Sequence, residues 1–274
     1  MNAILVDVTR CTGCERCVNA CIEENGLDPV QAQVDRATTK DGLSEHRLLS
    51  VPKVAPGRFA RLSCMHCLEP ACVSACLVGG LTKTPEGPVI YDAEKCIGCR
   101  YCMLACPFHI PRYEWDEPVP FVKKCTLCFE RLAEGKIPAC VEACPNETLT
   151  FGDRDPLLKE AHRRIATSGD RYIPRVWGEE ELGGTSVLYL SDVDLGIMGW
   201  PQPEAEAIPH LTEPLIAKTP AIGLGVMGSL LGINWVIRRR MRLAAEAAGD
   251  GGTDGAGELT GPGRDACTEG GEEE

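Results

Sequence analysis

Sixteen of the seventeen cysteines in this 274-residue chain fall into four ordered quartets between residues 11 and 144, and no other feature limits its fold so strongly. The first quartet is Cys11, Cys14, Cys17 and Cys21, spaced C-x2-C-x2-C-x3-C. The second is Cys64, Cys67, Cys72 and Cys76, spaced C-x2-C-x4-C-x3-C. The third, Cys96, Cys99, Cys102 and Cys106, repeats the first spacing and is followed by Pro107. The fourth, Cys125, Cys128, Cys140 and Cys144, is spaced C-x2-C-x11-C-x3-C and is followed by Pro145. The last two cysteines keep one offset throughout, so the chain holds an internal repeat in four variants.

A chain this rich in cysteine is either disulfide-bonded and secreted or a metal protein. The opening residues Met1–Val8 have no basic segment ahead of their short apolar run, so they do not read as an export signal, and metal is favoured. Structural zinc also uses C-x2-C knuckles, but its four ligands come as two separated pairs around one ion. Disulfides would not call for near-copies of one tight spacing. A cubane cluster does: three thiolates from one loop wrap it while backbone N–H groups face the sulfides. The fourth cysteine opens a helix, points away and serves the neighbouring cluster. The third quartet carries this two-cluster pattern in full, including Pro107, whereas in the first Ile22 stands where the proline would.

The remaining sequence narrows the function. A formal charge of −12, with 40 acidic residues against 28 basic, argues against nucleic acid as a partner. No dinucleotide loop, P-loop or nucleophile motif occurs, and no catalytic residue is assigned. His66, His109 and Glu114 lie near the cysteine loops and read as groups beside the ligands or on the surface. Lys123 and Lys124, just before Cys125, either raise a cluster potential by their charge or are simply solvated, the second reading being favoured. Short strands are expected at Ile4–Val8, Arg58–Leu62, Val89–Asp92, Thr148–Phe151 and Ser186–Ser191. A hairpin joins Leu81–Lys83 to Val89–Tyr91, and short helices fit Val18–Glu24 and Met103–Ala105. Residues 22–63 read as a polar insertion. Asp155 and Pro156 suggest the cap and first position of a helix running to Ile165 or Ala166. Residues 196–218 read as a linker, and the tail from Gly249, with the lone Cys267, as disordered.

One segment is suited to a membrane. Thr219–Ile237 carries no charge over 19 residues, about 28 Å of helix, close to the thickness of a bilayer's hydrocarbon core. It stops at Arg238-Arg239-Arg240-Met241-Arg242, while the preceding stretch is acidic apart from Lys218. Positive charge stays cytoplasmic, so the expectation is a single pass through the inner membrane, the C-terminus inside and the cluster domain on the periplasmic face. A buried core helix with a basic cap is the alternative.

At these residues the chain resembles the four-cluster iron–sulfur subunits of membrane-bound oxidoreductases, of the formate dehydrogenase-N, hydrogenase-2 and dimethyl sulfoxide reductase types. The stretches Cys96–Phe108 and Lys124–Cys128 carry the likeness most strongly. Gly183-Gly184-Thr185 and the single C-terminal helix favour the first two types. The resemblance implies an α+β fold of two bacterial-ferredoxin-like modules, one inserted in the other. Residues 1–63 and 108–152 form the first module, with quartets 1 and 4, and 64–107 the second, with quartets 2 and 3. An extension and linker (153–218), a transmembrane helix (219–237) and a basic stop with an acidic tail (238–274) follow.

It also implies four [4Fe–4S] clusters: cluster 1 on Cys11, Cys14, Cys17 and Cys144; cluster 2 on Cys64, Cys67, Cys72 and Cys106; cluster 3 on Cys96, Cys99, Cys102 and Cys76; cluster 4 on Cys125, Cys128, Cys140 and Cys21. The implied function is electron transfer between a molybdenum, tungsten or nickel–iron catalytic subunit and a quinone-reactive membrane subunit. The same wire in a quinol-driven terminal reductase, and a soluble polyferredoxin, are the alternatives. Without a signal of its own, the chain would cross the membrane folded, bound to a signal-bearing partner.

Overall fold

The computed structural model describes residues 1–115, 117–201, 205–247 and 249. The expected acidic tail and Cys267 lie outside them. Two units are resolved by their contacts, Met1–Pro214 and Leu215 onward.

The first unit is organised by the N-terminal strand β1 (Asn2–Asp7), whose residues Ala3–Val6 are fully buried. Alternate side chains of a strand face opposite ways. Ile4 and Val6 point into the larger core, and Ala3 and Leu5 into a smaller one. After β1 the chain forms α1 (Arg16–Glu24) and α2 (Pro29–Thr38), the latter capped by Asp28, whose carboxylate accepts from the Val30 and Gln31 N–H groups. Two short antiparallel strands follow, β2 (Lys53–Ala55) and β3 (Arg58–Phe59). The expected strand over Arg58–Leu62 is therefore cut short. Past Phe59 the backbone pairs more loosely: Ala60 N–H donates to Pro52 O, and Leu62 exchanges hydrogen bonds with Ser50.

Residues 22–63 are more than a polar insertion. They bury Leu43, Leu48, Leu49, Val51, Val54, Ala60 and Leu62 in the larger core, together with the side chain of Arg61. The apolar positions are scattered among charged ones, which hides them from a periodicity argument.

The middle of the unit is built from short pieces: α3 (Ala71–Ser74), β4 (Leu81–Lys83), β5 (Val89–Tyr91), α4 (Tyr101–Ala105), β6 (Arg112–Tyr113), β7 (Val122–Lys123), α5 (Phe129–Ala133) and α6 (Ala139–Glu142). Strands β4 and β5 pair as the expected hairpin, Leu81 opposite Tyr91, and β6 pairs with β7. Helix α1 packs on α6, and α3 on α4.

β8 (Leu149–Asp153) then returns antiparallel to β1. Helix α7 (Arg154–Thr167) covers the smaller core with Leu157 and Ala161. It begins one residue before Asp155, so Asp153 holds the cap position and Pro156 the third. Pro156 is still tolerated, because the first-turn N–H groups of a helix have no intrahelical acceptor. β9 (Val187–Leu190), fully buried, completes the sheet in the order β8-β1-β9, running parallel to β1.

The expected linker over 196–218 is also largely structured. Trp200 is buried, with its ring 4.9 Å from Tyr189 and about 6 Å from Phe108 and Trp177, so it pins this segment to the core. Helix α8 (Ile208–Ala247) starts eleven residues before Thr219 and runs past the arginines. Its apolar residues from Leu215 to Ile237 are exposed, and its length and hydropathy suffice to cross a membrane.

Candidate metal centre

The four cysteine loops share a backbone device. The residue just before the second cysteine is left-handed in every one: Gly13 (φ 71°), His66 (φ 49°), Gly98 (φ 69°) and Leu127 (φ 59°). Glycine takes this conformation freely, whereas each non-glycine residue in it costs about 1–2 kcal/mol. The turn folds the N–H of that residue back onto the first cysteine: Gly98 N–H donates to Cys96 Sγ at 3.4 Å, and Leu127 N–H to Cys125 Sγ at 3.3 Å. Gly13 donates to Cys11 in the same way. A second left-handed residue stands three positions after the last cysteine in the second, third and fourth quartets, as Gly79, His109 and Glu147. There the N–H of Gly80 reaches Cys76 Sγ at 3.1 Å. Such runs of inward N–H groups form concave sites for anions. The first quartet differs because Ile22 lets α1 continue to Glu24, and Asn25 Nδ2 donates to Cys21 Sγ instead, at 3.6 Å.

The tertiary fold gathers the cysteines into four cavities. One is lined by Cys11, Cys14, Cys17 and Cys144, a second by Cys21, Cys125, Cys128 and Cys140. A third is lined by Cys64, Cys67, Cys72 and Cys106, and a fourth by Cys76, Cys96, Cys99 and Cys102. Each set draws three cysteines from one quartet and the last from another. Cys21, Cys125 and Cys140 are buried and Cys14 is exposed, while the other twelve lie between.

Burial and neighbouring sulfurs oppose ionisation in these sets. Burial pushes Cys17, Cys72 and Cys128 up to about 12, and Cys102 to about 11. At Cys76 burial acts the same way, but the N–H groups of Leu81, Val78, Gly80 and Gly79 outweigh it and hold the thiol below its usual range. Thiolates so placed call for positive metal beside them, which deprotonates a coordinated thiol outright. Among the described residues, no three His, Cys, Asp or Glu side chains converge on a point fit for a single ion. One tetrahedral zinc would draw its sulfurs to within about 3.8 Å of one another. A larger core ringed by thiolates and N–H donors fits this donor set better.

Sequence reasoning misplaced or missed several groups. Lys124 is buried, not solvated: its Nζ donates to Val89 O and Cys125 O, and it lines the cavity of Cys64. Lys123 is partly exposed and pairs with Glu114 at 3.0 Å. Glu114 also accepts from Phe121 N–H, closing the β6–β7 hairpin. His109 is an exposed turn residue. His66 is wholly buried, its Nδ1 accepting from Val89 N–H at 2.9 Å. Burial and the nearby Lys124, Lys83 and Arg61 charges hold its pKa far below the ordinary histidine range, so it stays neutral. Gly183-Gly184-Thr185 buttresses the second loop: Leu68 N–H donates to Gly184 O, and Ser186 N–H to Met65 O. Arg61, which the sequence does not mark, lines the cavities of both Cys11 and Cys21.

Known proteins carry the same features. Residues 57–154 match the model of the 4Fe-4S dicluster domain. Hydrogenase-2 operon protein HybA of Escherichia coli O157:H7 is 36% identical over 69% of this chain and 70% of its own length. The iron–sulfur subunit of nitrate-inducible formate dehydrogenase from Escherichia coli K12 is 35% identical, over 69% of this chain and 67% of its own. The chain belongs to the iron–sulfur subunit family of oxidoreductase complexes. A subunit of the anaerobic dimethyl sulfoxide reductase of Escherichia coli K12 is 38% identical over a shorter stretch, 57% of this chain and 75% of its own length. In an iron–sulfur subunit the repeated loop has a clear use, because [4Fe–4S] clusters are held by cysteine thiolates and tuned by hydrogen bonds to sulfur.

Proposed function

We propose that this iron–sulfur subunit is a four-centre electron wire, with one [4Fe–4S] cluster in each of the four cysteine-lined cavities and the ligand sets given above. The observation that carries this reading is the sorting of sixteen cysteines into four sets of four, each with backbone N–H groups turned toward sulfur. Clusters bound there would accept and release one electron at a time. The chain's own part is to hold the thiolates, aim the N–H donors and exclude water. Residues 64–107 form the inserted module of the second and third quartets, a division supported by the packing of α3 on α4 and of α1 on α6.

The linear order of the centres is 1, 4, 2, 3. Arg61 borders both cavities 1 and 4; Lys124 borders cavity 2 and adjoins Cys125 of set 4; Cys102 of set 3 acts on Cys72 of set 2. The two ends of the wire then face different partners: a catalytic subunit of the molybdenum, tungsten or nickel–iron kind, and a quinone-reactive membrane subunit. Relatives matched over 69% of this chain are named as a hydrogenase-2 operon protein and a formate dehydrogenase iron–sulfur subunit, against 57% for the dimethyl sulfoxide reductase chain, which favours that direction over a terminal reductase.

We further read α8 as a membrane anchor, with the arginines at 238–242 on the cytoplasmic side. Its exposed apolar residues argue against the soluble alternative. Anaerobically purified protein should hold about sixteen iron and sixteen sulfide per chain, as four cubanes require. Zinc in their place would refute the proposal. Removal of Thr219–Arg242 should release the protein from membranes, and the catalytic subunit that co-purifies identifies the reaction served.

A further inference from the structure

The larger core contains a cation without an anion. Arg61 is 2% exposed, among the largest side chains that the fold buries completely. No carboxylate pairs with it among the described residues. Its Nε and Nη1 have no hydrogen-bond partner. Its guanidinium reaches Cys140 Sγ from Nη2, at 4.0 Å. Its carbonyl accepts from Tyr189 Oη at 2.8 Å, and that neutral hydroxyl also lies beside the guanidinium. A buried unpaired charge is among the most destabilising things that a core can hold, and such charges are kept when an opposite charge faces them.

What faces Arg61 is sulfur. Cys17 and Cys140 come from the two cysteine sets whose cavities this side chain lines together, and Cys125 is near enough to act on it. Arginine keeps its proton at any working pH, so the charge is permanent. The other cations near the sets are engaged otherwise. Lys124 and Lys83 give their Nζ protons to backbone carbonyls. Arg100, at the cavity of Cys96, is solvent-exposed and stacks over Tyr113 and Trp115.

We propose that Arg61 is a positioning charge shared by centres 1 and 4, raising the reduction potential of both. The proposal rests on the four-centre reading above. An electron added to either centre makes it more negative, and a fixed cation in a water-poor core stabilises that added charge with little screening by salt. Because one guanidinium borders both cavities, it also offsets the repulsion between two neighbouring anionic centres, so the second accepts its electron more readily. Centre 2 is bordered by the buried Lys124, whose Nζ is held by two backbone carbonyls, and centre 3 by N–H donors and the exposed Arg100.

The test is a redox titration of the full-length protein in membranes, followed by electron paramagnetic resonance, with iron counted on the same samples. Arg61→Met should keep full iron and lower the potentials of two of the four centres, leaving the other two in place. Arg61→Lys should restore the pair, and high salt should not erase the difference. Lys123→Gln, an exposed control, should move none. Full iron with all four potentials unchanged in Arg61→Met overturns the proposal. If neutral variants fail to assemble, an Arg61→Lys protein with full iron and the original potentials supports the role of charge. Failure of Arg61→Lys as well overturns it, since shape would then be what the site requires. A wild-type protein without four cubanes would refute the proposed function instead.

Discussion

The surroundings of sets 1 and 4 differ from those of sets 2 and 3, although the loops are the same. All four loops use one left-handed residue before the second cysteine. Set 4 contains all three buried cysteines, Cys21, Cys125 and Cys140, and set 1 the exposed Cys14; the cavities of both are bordered by the buried Arg61 and by the β8-β1-β9 sheet, through Leu149 and Ile4. Set 3 sits among two-stranded hairpins, ringed by exposed Leu77, Ile97, Tyr101, Leu104 and Trp115. Ligand geometry in this chain is thus local and repeated. Burial and fixed charge are supplied to each set by parts of the chain far from the cysteines, and on the proposed four-centre reading these would set the differences among the centres.

The largest effects should come from the thiols. Cys140→Ala and Cys76→Ala should each remove one centre, or about a quarter of the iron, measured per chain after anaerobic purification. Only Cys140→Ala should also lower the thermal midpoint appreciably, because it strips Arg61 of its nearest anion. Equal losses of stability would erase the contrast between the two pairs.

Next is the sheet. Leu5 is fully buried between β1 and α7, and Leu5→Ala should cost about 2–5 kcal/mol in denaturant unfolding, with the potentials of all four centres unmoved. A smaller effect is expected at Gly98, where an added Cβ would lie 2.9 Å from Tyr113 Oη at φ 69°. Gly98→Ala should cost about 1–2 kcal/mol from the left-handed strain and should loosen set 3 alone, seen as faster loss of that centre's signal to a chelator.

The smallest effect is a pH dependence. Arg58 binds both oxygens of Asp192, at 2.6–2.9 Å, tying β3 to the segment after β9. This guanidinium holds the carboxyl below the usual carboxylate range. A depressed folded-state pKa contributes stability above the ordinary value, near 3.9, that is lost as the pH falls through the folded one. Asp192→Asn should therefore lower stability slightly near neutrality and flatten the acid limb of the curve, so that the two proteins converge in strong acid.

The sequence by itself determined the four quartets, the first strand, the β4–β5 hairpin and the apolar stretch of α8, because each is written in adjacent residues. It could not show that His66 and Leu127 adopt the conformation that glycine takes in Gly13 and Gly98, since side-chain type carries no mark of a positive φ imposed by the fold. Residues 22–63 and 196–201 read as polar or linking segments, yet they deliver Arg61 and Trp200 to the core, contacts made with residues up to about 130 positions away. Nor does spacing say which quartets share a cavity. Only tertiary structure decided that Cys21 lies with Cys125 and Cys76 with Cys96, because those neighbours depend on how α1 packs on α6 and α3 on α4. Local spacing fixes how a loop can wrap a metal core, but burial and charge around that core come from chain brought back from a distance.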